Sequence, residues 1–199
     1  MNSYMRPQQQ QQAQQQQQHA PQQQTAPQQQ PVSSNEQMHH SFLKDKQAWE
    51  NAIAMYQGPD PLDHWFNYIC WYENHVDPEN KFRETLERCL TLYEHSDYYK
   101  QDVRMVRLWL KYIDMQANPL HFYQVLHKRG VGRQIAIFYI SWAAFYESEN
   151  AFKEAESVFN LAFQQKAQPV QDLQHAHGKL MYTRAQQQQQ QMQQQHQFK

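Results

Sequence analysis

Imidazole and thiolate are the side chains through which this chain could bind a metal or attack a substrate. It has eleven histidines and two cysteines. The closest histidine groupings are His39-His40 and His175-Ala176-His177. Neighbouring or i, i+2 residues diverge around a helix, and no cysteine or carboxylate stands at a spacing that completes a ligand set. These histidines read as surface residues. Cys70 and Cys89 lie in apolar stretches where free cysteine packs as a small hydrophobe, and neither has a positioned base of the kind a nucleophilic thiol needs. Two cysteines also make no disulfide framework and no zinc signature. The cluster His127-Lys128-Arg129-Gly130-Val131-Gly132-Arg133 has two readings: a phosphate or acidic-peptide site, or cations placed to suit a helix C-terminus. Glycine-rich phosphate loops, Walker sequences and kinase catalytic loops are not found, so the reading is a binding protein, not an enzyme, with no cofactor.

Helical segments must position whatever binding surface there is. Only four glycines occur in 199 residues, and three of the nine prolines follow Asp or Asn: Asp60-Pro61, Asp77-Pro78 and Asn118-Pro119. Each pair reads as an N-cap followed by proline at the first helical position, where a missing N–H has no cost. Apolar residues recur at helical spacing over 35–57, 61–75, 78–94, 98–116, 119–129, 132–149, 151–166 and 169–185. The expectation is an all-α chain of about eight helices with almost no sheet.

The flanks are different. Residues 1–34 and 186–199 are dominated by Gln, with too little apolar surface to offset the entropy of ordering, so 1–34 reads as disordered and 35–185 as one folded domain. Gln is a fair helix former, which allows the last helix to run on into the second tract. The net charge of −1 comes from 18 basic and 19 acidic residues, mixed along the folding part, and gives no field for nucleic acid or anionic lipid. Without a membrane span or signal-peptide core, the chain reads as soluble and intracellular.

Within the domain one segment carries a repeat. Tyr139, Trp142, Ala143 and Tyr146, followed by Ala155, Phe159 and Ala162, have the spacing of the tetratricopeptide unit. There, large residues on the first helix straddle an alanine, and Ala–Phe–Ala on the second lets the two helices approach closely. Fainter copies run through Trp65, Tyr68, Ile69 and Tyr72 with Phe82, Leu86 and Cys89, and through Trp109, Tyr112 and Ile113. Unequal intervals make this an irregular tetratricopeptide-like superhelical array.

Tyr56-Gln57-Gly58-Pro59-Asp60-Pro61-Leu62-Asp63-His64-Trp65-Phe66-Asn67-Tyr68-Ile69-Cys70-Trp71 resembles the signature Y-x-G-x-D-P-L-D-x-W-x-x-Y-I-x-W of the Bub/Mad spindle-checkpoint proteins. Further matches follow in order, among them Asn118-Pro119-Leu120, Gly130-Val131-Gly132 and Phe138-Tyr139-Ile140-Ser141-Trp142-Ala143, so that the resemblance spans about 42–181. It implies a tetratricopeptide-like adaptor of the nucleus and of mitotic kinetochores, binding short helical motifs of a KNL-type scaffold protein and other checkpoint proteins. It implies a groove made by Trp109, Tyr112 and Met115 on one helix and Val125 and Leu126 on the next. Tyr112 and Met115 stand where relatives tend to carry leucine, which keeps the groove apolar and changes the side chains it accepts. The Lys-Glu-Asn box of relatives that restrain the anaphase-promoting complex has only Lys44-Asp45-Lys46 in its place, and no Bub-type kinase is found. The chain then reads as a short relative or a fragment of a longer one. Two alternatives stay open: a structural scaffold that self-associates through its Gln tracts, and an RNA-processing scaffold of half-tetratricopeptide repeats.

Overall fold

A computed structural model describes residues 33–197, the side chains of 195–197 excepted. Two units are distinguished, 1–38 and 39–199. Of the first, only the opening of α1 (Ser34–Met55) is described. Glu36 there accepts from the Ser33 amide at 2.9 Å and the Ser33 hydroxyl at 3.1 Å, a capping box one residue ahead of the helix. The expected disorder of 1–34 otherwise lies outside the described residues.

Everything else belongs to the second unit. After α1 come α2 (Pro61–Glu73), α3 (Phe82–Tyr93), α4 (Val103–Asp114), α5 (Pro119–Arg129), α6 (Ala136–Ser148), α7 (Phe152–Gln164) and α8 (Val170–Gln197). A single 3₁₀ turn, Asp97–Tyr99, precedes α4. Among the described residues the one extended pairing is an isolated bridge between Ile135 and Gln168. The all-α expectation is met.

Helices α2 and α3, α4 and α5, and α6 and α7 pack as antiparallel hairpins, and α2, α4, α6 and α8 also pack each on the next of that set. That is the tetratricopeptide arrangement, in which first helices of successive hairpins adjoin. Ala143, Ala155 and Ala162 are fully buried where α6 and α7 approach, around Tyr139, Trp142 and Phe159, with Tyr146 half-buried at the end of α6. In the first hairpin Trp65, Tyr68, Ile69 and Tyr72 form the inner stripe of α2. Phe42 of α1 stacks on Trp71 at 5.2 Å between ring centroids and meets Tyr72 edge-on.

Three helix starts differ from the sequence reading, and a fourth keeps its place without the expected side-chain cap. Asp77-Pro78 does not start a helix: the Asp77 carboxylate accepts from the amides of Glu79 at 3.0 Å and Phe82 at 2.9 Å, Asn80 takes a positive φ of 54°, and α3 begins only at Phe82. Asp60 occupies the N-cap of α2, yet its carboxylate caps nothing and is turned to Tyr99 and Arg104. Asn118 does cap, accepting from the His121 amide. The segment read as one helix from Tyr98 breaks at Gln101–Asp102, because Asp102 accepts from the Arg104 amide at 2.8 Å and caps a new helix. Gly132, read as a helix start, has φ of 68° and sends its N–H to the Lys100 carbonyl at 2.8 Å, while α6 begins at Ala136, whose N–H donates to the Gln168 carbonyl.

At the other end α8 is continuous from Val170 through the Gln tract to Gln197, past the expected domain limit at 185. Leu173 and Leu180 anchor its first half. Lys44-Asp45-Lys46 lies inside α1. No helix among the described residues is long and apolar enough to cross a membrane.

Candidate functional site

Three consecutive helices enclose one groove. On α4, Trp109 and Tyr112 are one turn apart on the same face. On α5, Phe122, Val125 and Leu126 sit at i, i+3 and i+4, and on α3 Glu87, Leu90, Thr91 and Glu94 sit at i, i+3, i+4 and i+7. These nine side chains, with Arg129, line a groove of about 260 Å³, and Met115 is not among them. Glu87 to Glu94 spans seven residues of helix, about 10 Å, so the groove is two helical turns long.

Its floor is graded. Leu126 and Leu90 are buried, Trp109 is 8% exposed, and Val125 is 36% exposed at the mouth. Tyr112 stands edge-on to Trp109 at 5.9 Å and to Phe122 at 5.5 Å, a three-ring wall held by perpendicular contacts. One end is closed by Arg129, which donates to the Glu94 carboxylate at 3.3 Å and to the Glu94 carbonyl at 3.0 Å. Glu87 at the other end pairs with Arg83, both about half-exposed. An apolar trough between fixed helices, with charges confined to its rim, suits the apolar face of an amphipathic helix.

Four of the five groove residues read from the sequence, Trp109, Tyr112, Val125 and Leu126, therefore come together. Met115 does not: it is the C-cap of α4, packed against the core, and its carbonyl accepts from Arg83 at 3.1 Å. The sequence reading missed Phe122 and the whole α3 wall. The i, i+3, i+4, i+7 spacing of Glu87, Leu90, Thr91 and Glu94 was the available signal, masked by its distance from α4 in sequence.

The other candidate chemistry resolves locally. Arg133 donates to the carbonyls of His127 at 3.0 Å and Lys128 at 3.2 Å, and Gly130 ends α5 in the left-handed region at φ 86°, so the basic cluster closes a helix C-terminus. His127 packs on Tyr139 and Trp142, and burial with the nearby Arg133 charge holds its imidazole below the ordinary value. His177 lies against Phe159 at 5.2 Å. Burial pushes the Cys89 thiol up to about 12 and raises that of Cys70. Among the described residues no three His, Cys, Asp or Glu side chains are placed to hold a metal ion.

Residues 44–163 match the family Mad3/BUB1 homology region 1. The chain belongs to the Mad3/BUB1 homology region 1 family. It is 33% identical over 149 residues to the human mitotic checkpoint serine/threonine-protein kinase BUB1 beta, covering 73% of this chain and 14% of that protein. It is 31% identical over 151 residues to the Arabidopsis thaliana mitotic spindle checkpoint protein BUBR1, covering 74% of this chain and 38% of that protein. The chain thus spans well under half the length of these relatives. In three dimensions it is similar to the conserved N-terminal domain of the mitotic checkpoint component BUB1, with a TM-score of 0.66, 20% identity, and 74% and 80% of the two chains covered. It is also similar to a chain of the mitotic checkpoint complex, with a TM-score of 0.68, 25% identity, and 78% and 74% covered. For a Mad3/BUB1 region, the tetratricopeptide-like stacking of α2 to α8 is the shared fold.

Proposed function

We propose that this chain is a protein-binding module of the mitotic spindle checkpoint whose α3–α4–α5 groove takes a short helical motif of a KNL-type kinetochore scaffold. Membership of a family whose relatives are checkpoint proteins supports the setting. The observation that carries the site is the convergence of Trp109, Tyr112, Phe122, Val125 and Leu126 into one apolar trough two turns long. A helical ligand would seat anchors at i, i+3 or i+4, and i+7, the spacing that a groove of this length accommodates. On this reading the chain works at kinetochores in mitosis and within the nucleus, alongside other checkpoint proteins.

The experiment is a titration of the full chain with a fluorescently labelled KNL-type motif peptide, repeated with Tyr112→Ala and Val125→Asp. Saturable binding by the parent that both variants weaken supports the reading. A parent chain that does not bind defeats it, and so does equal binding by parent and variants. Recruitment of the tagged chain to unattached kinetochores tests the setting separately.

A further inference from the structure

Helix α4 lines a second hollow on another of its faces. Arg107 lies two residues from Trp109, about 200° around the helix, and with Val103 it borders a hollow of about 430 Å³ completed by Ile135, Ile137, Pro169 and Asp172. The walls come from α4, the start of α6 and the start of α8. They are fixed by backbone pairing: Ala136 donates to Gln168 at 2.7 Å, Gln168 to Gln134 at 2.9 Å, and Gly132 to Lys100 at 2.8 Å. The hollow is therefore preformed, and its volume lies in the range of roughly 300–1,000 Å³ common to binding sites. Its apolar lining is open to solvent, Val103 being 44% exposed.

The charges at its edge are the informative feature. Arg83, Arg88, Arg104, Arg129 and Arg184 each sit against a carboxylate, and Arg133 against the carbonyls that end α5. Among the described arginines Arg107 alone has neither, and Asp172, which lines the same hollow, likewise has no ion pair among the described residues. In the α3–α4–α5 groove, by contrast, both rim carboxylates are paired. An aliphatic hollow lined by an unpaired cation and an unpaired anion is complementary to an apolar ligand segment that carries both signs of charge.

We propose that this hollow is a second docking site, for a segment of a partner protein that carries an aliphatic anchor between a carboxylate, received by Arg107, and an ammonium or guanidinium, received by Asp172. A second copy of this chain could set each Arg107 against the other copy's Asp172 across a two-fold axis, and the oligomeric state is therefore one outcome that the test reads.

The test pans a random library of peptides about a dozen residues long against the full chain carrying Val125→Asp, which disables the first groove and so separates this proposal from the one above. Enriched peptides should show an aliphatic residue between an acid and a base. Arg107→Glu and Asp172→Lys, each checked for unchanged helicity, should weaken them about tenfold. Reversing the peptide's acid to lysine should restore binding to Arg107→Glu. The proposal is overturned by a library that yields no such pattern, by enriched peptides indifferent to both charge reversals, or by a concentration-dependent dimer that Ile137→Glu disperses.

Discussion

Arg104, in the first turn of α4, places its Nη1 2.8 Å from Oδ2 of Asp60 at the head of α2. The same guanidinium reaches Asp102 at 2.7 Å and Asp63 at 3.2 Å, and Asp60 also accepts from the Tyr99 hydroxyl at 3.1 Å. Asp60 is drawn away from capping α2 because it ties that helix to α4 instead. Arg104→Met leaves Asp60 and Asp102 half-buried without their cation. Discounted for the exposure of the cluster, the loss should be about 1–2 kcal/mol in urea unfolding. Midpoints that coincide with the parent's would show the cluster to be surface decoration.

Acid should act on the turn before α3. Burial alone would raise the Asp77 carboxyl, but the amides of Phe82 and Glu79 and the Tyr72 hydroxyl, which donates at 3.1 Å, hold it below its ordinary value of 3.8. A carboxyl with a folded value below its unfolded one adds stability that is fully present above the unfolded value and lost as pH falls through the folded one. Asp102 behaves alike: burial raises it, and the side-chain and amide bonds from Arg104 more than reverse that. Urea midpoints should hold steady near neutrality and fall below about pH 4. Asp77→Asn should be less stable than the parent near neutrality and lose less on acidification. A parallel pH profile for the two proteins would remove Asp77 from the account.

How legible all this was in the sequence depends on what each residue bonds to. Asn118-Pro119 was read correctly as a helix start because the asparagine caps the helix that its proline opens. Asp77-Pro78 has the same chemistry, yet there the carboxylate spans two and five residues forward and makes a turn. Asp60-Pro61 opens α2 as read, but the Asp60 carboxylate makes no cap because an arginine 44 residues away engages it. The α6–α7 packing was plain because its alanines and aromatics are local to one hairpin. The α3 wall of the groove and the Arg107 hollow were not, because they exist only once separate hairpins stack.

Close approach of α6 and α7 rests on residues with almost no side chain. Ala155 has no exposed surface and faces the Tyr139–Trp142–Ala143 stripe. Ala155→Leu adds volume that neither helix can yield without moving, and should cost about 1–3 kcal/mol. Ala151, the N-cap one turn earlier and only half-buried, is the control: Ala151→Ser should be neutral or slightly stabilising. Thermal unfolding of both variants distinguishes crowding at the contact from a general intolerance of substitution in this hairpin.

Within the α3–α4–α5 groove, burial sets which substitution reports on binding and which reports on folding. Leu126 is 2% exposed and Trp109 8%, so a charge at Leu126 or a truncation at Trp109 removes core packing as well as any ligand contact. Trp109→Ala should cost about 3–5 kcal/mol of stability, and its binding defect would be shared with unfolding. Val125, 36% exposed at the groove mouth, can take a carboxylate that stays hydrated in the free chain and is desolvated only when an apolar ligand covers it. Val125→Asp should therefore leave the unfolding midpoint within about 0.5 kcal/mol of the parent, while weakening a bound KNL-type motif peptide by tenfold or more, about 1.4 kcal/mol. If instead stability falls and affinity among the folded molecules holds, Val125 belongs to the core and the ligand lies elsewhere.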